Sequence, residues 1–148
     1  MHAMEREDIA TIFMFKGDCH WTMSVSQQTC LQVLDTLDMF ARSWNRGDTS
    51  GIDAMIDTDC SVFWPGREDR ACGKDALMHV LGEHGTSPWS LQLWDVAVQA
   101  VGTVAWVTAS YRIELPEGKG GCRPYAGVFT GVLKGTGHAW VFAHIHFS

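Results

Sequence analysis

His144 and His146 stand two residues apart in a run of alternating residues, so on a β-strand both imidazoles project to one face. Two imidazoles at that spacing can share a metal ion or exchange protons with a bound molecule near neutral pH. A metal would need a third ligand, and the sequence offers only scattered candidates, Asp95, His79 and His84, so no metal site is assigned. Asp95 is also the carboxylate that could act beside the histidines as acid or base. Arg112, Tyr111 and Tyr125 are further polar candidates. Arg112 needs Glu114 or Asp95 as a partner if its strand position is buried, and needs none at an exposed edge.

A second group is aromatic. Phe40 and Trp44 are one helical turn apart, and Trp64 closes a short apolar run. Apolar walls with a few polar handles suit a flat or hydrophobic small molecule, although the same rings can equally fill a core. The chain is 46% hydrophobic and 19% charged, with seven tryptophans. That is more apolar surface than one small core requires, so part of it is expected to line a pocket or an interface. No Gly-x-Gly-x-x-Gly, P-loop, Gly-x-Ser-x-Gly or His-Glu-x-x-His pattern occurs, and no cofactor is assigned.

Charge and cysteine usage narrow the partners. The net charge is −6 and no Lys/Arg cluster occurs, which argues against nucleic acid, whose phosphates require concentrated positive charge. Cys19, Cys30, Cys60, Cys72 and Cys122 form an odd set without Cys-x-x-Cys spacing, read as reduced thiols of a cytoplasmic protein. Ile9 to Phe15 is short, interrupted by Thr11 and preceded by acidic residues, so neither a signal peptide nor a membrane span is expected.

The elements that must hold these residues follow from periodicity. The 148 residues fit one domain. Residues 1–26 read as an N-terminal extension, with a short docking helix as the other option, and 27–148 as the domain proper. Leu31, Leu34, Leu37, Phe40, Ala41 and Trp44 mark an amphipathic helix stopped at Gly47. Asp48-Thr49-Ser50 caps a second helix around Ile52 to Ile56. Ser61 to Trp64 is a first strand ended by Pro65-Gly66. Gly73-Lys74-Asp75 leads into a third helix with Ala76, Leu77, Val80 and Leu81 on its buried face. Beyond Ser87-Pro88 the period changes to two. Strands are predicted over Leu91 to Ala100, Thr103 to Leu115, Tyr125 to Lys134 and Ala139 to Phe147, with Pro116 to Gly121 as a looser loop. Helices followed by an antiparallel meander give an α+β domain, with the helices packed on one face of the sheet.

Simple alternation puts Trp140, Phe142, His144 and His146 on one face of the last strand, and Val104, Trp106, Thr108, Ser110 and Arg112 on one face of an earlier one. A sheet covered by helices on one side should be polar on the other. This sheet is so only in part, so a twofold homodimer through the open sheet face is expected, with Trp106, Trp140 and Phe142 in the interface.

Arg42-Ser43-Trp44-Asn45-Arg46-Gly47-Asp48, a short helix, and Cys60-Ser61-Val62-Phe63-Trp64-Pro65-Gly66 together resemble the opening of the nuclear transport factor 2-like superfamily. The ending, Gly131-Val132-Leu133-Lys134, then Trp140 and His144-Ile145-His146-Phe147-Ser148, is similar to the SnoaL-like and DUF4440-type branch and to the calcium/calmodulin-dependent kinase II association domain. The resemblance implies a cone-shaped fold, a strongly curved sheet around about three helices, with a pocket on the concave side. It puts Phe40, Trp44, Trp64, Val107 and Tyr111 in that pocket, with Thr130 near it, and the His144/His146 face on the convex, dimer-forming side unless a bulge reverses the parity. In ketosteroid isomerase-like members an aspartate base works with a tyrosine and a protonated acid. The corresponding positions here are Trp64, Phe40 and Thr130, so that chemistry is not expected.

Three functions stand open at this point. One is a small-molecule-binding domain for an apolar or aromatic ligand, without a complete catalytic set. Another is a polyketide cyclase or dehydratase-like enzyme using His144, His146 or Asp95. The third is an oligomerisation module like the kinase association domain.

Overall fold

Cys30, Val33, Leu37, Phe40 and Trp44 recur at intervals of three and four residues, and in the computed structural model they form the buried stripe of helix α1, Val25–Asn45. The structure describes residues 10–13, 25–64, 70–72, 74–75, 78, 90–117 and 121–148. Leu31, read from the sequence as part of this stripe, is 37% exposed, because it lies a full residue's rotation from Cys30.

The end of α1 explains the Gly47-Asp48 pair. Gly47 adopts φ 67°, Asp48 N donates to Ser43 O at 2.8 Å, and Gly47 N donates to Trp44 O at 3.1 Å. This satisfies two of the last carbonyls of α1 and turns the chain through a left-handed residue that glycine adopts without steric penalty. Asp48 then caps helix α2, Thr49–Ala54, accepting from Gly51 N at 2.9 Å. The corner is tight, because a Cβ on Gly51 would lie 2.6 Å from Asp48 Oδ2 and 2.7 Å from Ser43 Oγ. Lys74, Asp75 and Met78 are helical where a third helix was expected, and Met78 packs against the core. Ala76, Leu77, Val80 and Leu81 lie outside the described residues, as do Pro65-Gly66, His79 and His84.

The strands are β1 (Ala10–Phe13), β2 (Ile56–Phe63), β3 (Arg70–Cys72), β4 (Ser90–Val101), β5 (Val104–Glu117), β6 (Gly121–Gly135) and β7 (Trp140–Phe147). They form one sheet in the order β1-β4-β5-β6-β7-β2-β3, antiparallel except where β2 runs parallel to β7. The fold class is α+β, a mostly antiparallel curved sheet with the helices against one face. Within the segment read as an extension, Ala10–Phe13 pairs with Ala97 to Ala100 as an edge strand. The β5–β6 ladder runs unbroken from Val104↔Lys134 to Glu117↔Gly121, so the loop expected at Pro116 is shorter than predicted.

Two bulges decide which side chains face the helices. On β4 the register shifts between Trp94 and Ala97, Asp95 adopts φ 52°, and the buried positions change from Leu91 to Val96, Val98 and Ala100. On β7 the register shifts against Val132 and Leu133, so Phe142, Ile145 and Phe147 are buried although 142 and 145 differ in parity. Trp140 and Phe142 therefore face the helix side, not the His144/His146 face as simple alternation predicted. β5 has no bulge and alternates as read, with Ala105, Val107, Ala109, Tyr111 and Ile113 buried. The side-chain amide of Asn45 bridges α1 to the start of β4, donating to Leu91 O at 2.9 Å and accepting from Leu91 N at 2.6 Å.

Candidate functional site

Among the described residues, seven aromatic side chains meet between α1 and the inner face of the sheet. Phe40 lies 5.5 Å from Trp44 and 4.7 Å from Phe142, centroid to centroid, and Trp44 lies 5.5 Å from Trp64. Phe147 is the hub, 5.0 Å from Tyr111, 5.3 Å from Phe129, 6.2 Å from Trp44 and stacked on Trp64 at 5.9 Å with 5° between the planes. Tilted, edge-on and offset-stacked pairs at these separations are the favoured aromatic geometries. Val107 joins the cluster next to Phe142, since a Cβ on Gly131 would meet Val107 Cγ2 at 3.1 Å and Phe142 Cε1 at 3.0 Å.

Phe40, Trp44, Trp64, Val107 and Tyr111 are thus gathered in one buried region. Thr130 is not among them. Its neighbours on the β6 strand, Phe129 and Gly131, point inward, and Thr130 sits on the outer face opposite His146 and Thr108. Polar atoms enter the cluster as the buried indole nitrogens of Trp44 and Trp64. Burial, then Tyr125, raises the Tyr111 proton affinity above the usual phenol value, so this hydroxyl stays neutral and able to donate. Sequence reasoning missed Phe129 and Phe147 as members. Their alternation was visible, but which face of each strand met the helices was not.

The histidines occupy the outer face. Ser61 Oγ and His144 Nδ1 are 2.8 Å apart, and Phe63 lies against both rings, 5.8 Å from His144 and 4.9 Å from His146. The cross-strand register continues the rows from Ser61 and His144 to Val132, Trp106 and Gln99, and from Phe63 and His146 to Thr130, Thr108 and Ala97. Trp106 Nε1 donates to Gln99 Oε1 at 2.6 Å. Trp94 and Val128 are the exposed large apolar residues of the next row, joined through Ser110.

Burial, and secondarily His146, holds the proton affinity of His144 below the ordinary imidazole value of 6.5. Above that value His144 is neutral both folded and unfolded and contributes nothing to pH dependence. As the pH falls below it, the unfolded chain takes up a proton that folded His144 resists, so stability is lost until the lowered folded value is passed. His144→Gln is expected to flatten this acid limb in urea unfolding followed between about pH 7.5 and pH 5. Equal slopes in the two proteins would refute the assignment.

The other polar candidates are dispersed. Asp95 is exposed on the β4 bulge, where a short polar side chain tolerates the left-handed conformation. Arg112 is exposed on the outer face and pairs with Glu114 at 3.4 Å. Among the described residues no three His, Cys, Asp or Glu side chains come together as a metal site, and no helix is long and apolar enough to cross a membrane.

Comparison with known proteins agrees with this architecture. A family model described as a SnoaL-like domain matches residues 33–148. A proposed scytalone dehydratase from Novosphingobium aromaticivorans superposes with a TM-score of 0.72 at 16% identity, over 84% of this chain and 86% of that one. A nuclear transport factor 2-like superfamily protein from Salmonella enterica gives 0.71 at 15% identity, over 82% and 90%. A proposed calcium/calmodulin-dependent protein kinase II association domain from Xanthomonas campestris gives 0.66 at 12%, over 77% and 82%. These likenesses establish the fold, and no curated protein matches the chain.

Proposed function

The chain belongs to the SnoaL-like domain family, and from that premise we propose that it binds a flat apolar or aromatic small molecule against the aromatic cluster under the sheet. The observation that carries this reading is the contiguous set of rings, Trp44, Trp64, Tyr111 and Phe147, gathered under the sheet. The Tyr111 phenol, kept neutral by burial, supplies a donor beside these rings, which suits a ligand carrying an acceptor oxygen on a flat skeleton.

A cyclase or dehydratase of the kind suggested by one structural relative's name would need an acid–base pair at these rings. His144 and His146 lie on the opposite face and Asp95 is exposed on its bulge, which favours binding over histidine-based chemistry. The outer face, with Trp94, Trp106, Val128 and Val132, serves a homodimer in this reading. Residues 27–148 form the working domain, with 1–26 as an extension. Cys60 and Cys122, in no disulfide, suit a reducing, cytoplasmic setting.

Native mass spectrometry of the purified protein tests the ligand. The wild type is expected to carry a non-covalent small-molecule adduct that Trp64→Ala loses and Trp94→Ala keeps, with circular dichroism verifying the fold of both. An adduct retained by a folded Trp64→Ala protein would place the ligand elsewhere.

A further inference from the structure

A cleft of about 660 Å³ opens at the end of the domain where the β4–β5 and β6–β7 hairpin tips face α1. It shares no lining residue with the aromatic cluster. Its volume is within the range of small-molecule sites, roughly 300 to 1,000 Å³.

Three of its side chains have complementary chemistry. Trp140 presents an indole held in place from two directions. Gly135, its cross-strand partner, lacks a side chain, so the ring lies 3.4–3.6 Å from where a Cβ would stand, and Trp140 Nε1 donates to Gln32 Oε1 at 3.3 Å. Asp35 on α1 contributes an exposed carboxylate. Asp38, on the next turn, is paired with Arg42 at 3.0 Å, and Asp57 with Lys134 at 3.0 Å, whereas Asp35 makes no ion pair among the described residues. Met39, 57% exposed, adds a polarizable thioether that adapts to the shape of an apolar partner.

We infer that this cleft is a second binding site, for an organic amine carried on a flat apolar body. The ammonium group is held by the Asp35 carboxylate and by the negative face of the Trp140 indole, while the body covers Met39. The net charge of −6 raises the local concentration of such cations. The inference is independent of the ligand proposed for the aromatic cluster, since a ligand could occupy either site alone.

Titration calorimetry and heteronuclear NMR with three probes test it: tryptamine, the uncharged 3-methylindole, and the anionic indole-3-propionate. Tryptamine is expected to bind most tightly, and to shift the Trp140 indole N–H and the Gly102 and Gly137 amides. Asp35→Asn should weaken tryptamine about tenfold and leave 3-methylindole unchanged, as loss of one charge-assisted contact requires. Trp140→Leu should weaken both, and Asp59→Asn, which lies outside the cleft, neither. No tryptamine binding at millimolar concentration, binding indifferent to Asp35→Asn, or equal affinity for the anionic probe would each overturn the inference.

Discussion

Phe147→Ala is expected to remove about 3–5 kcal/mol of folding free energy, the usual range for truncating a buried phenylalanine. Phe147 is 3% exposed and touches four other rings from four separate stretches of the chain, so the vacated space cannot be closed by one neighbour moving inward. Its loss removes buried apolar area and also the pairings with Trp44, Trp64, Tyr111 and Phe129. Urea unfolding should show a lower midpoint with an unchanged slope. Phe147→Leu should recover about half of the loss, because it restores volume without the ring geometry. A cost below about 1 kcal/mol would mean that the cluster is loosely packed and that Phe147 is not its hub.

Gly131→Ala is the counterpart, an added atom in place of a removed one. A Cβ there would stand 3.0 Å from Phe142 Cε1 and 3.1 Å from Val107 Cγ2, and Phe142 is held in turn by Phe40 and Phe129. Overpacking of this kind costs about 1–3 kcal/mol. Combining it with Phe142→Leu should cost less than the two changes summed, because the smaller side chain vacates the position the new methyl needs. Strict additivity in the double-mutant cycle would show that the strain is relieved elsewhere.

Much of this architecture was legible in the sequence. The three-and-four spacing identified α1, Gly47-Asp48 identified its corner with α2, and alternation identified the long strands, with β5 read correctly on both faces. Leu31 was misplaced because an apolar residue beside a stripe reads like a member of it, and only packing separates Leu31 from Cys30 and Val33. The four residues of β1 were too short to show a period. They become a strand through the edge that β4 offers, which is a tertiary cause.

The site was less legible, because one inserted residue reverses the sense of a strand. Phe142 and Ile145 are both buried only because β7 is bulged, and no residue in Phe142-Ala143-His144 announces it. Trp140 and Phe142 thereby moved from the expected subunit contact to the helix side, whereas His144 and His146 stayed outside. Asp95 is better explained by the backbone it allows than by chemistry. The cleft beside Asp35 and Trp140 could not be read at all, since its walls come from a helix and two hairpin tips far apart in the chain.

The parallel contact between β2 and β7 also sets an order of events during synthesis. α1 and the residues around Trp64 emerge early, but the ring that joins them, Phe147, follows Trp44 by about a hundred residues. Until β7 leaves the ribosome, Trp44 and Trp64 have no stacking partner from that strand, and a nascent chain halted before it presents a sticky aromatic surface. Long-range closure of this type is slow and exposes the chain to aggregation. A stalled or shortened product should therefore depend on chaperones to stay in solution, whereas the finished chain should not.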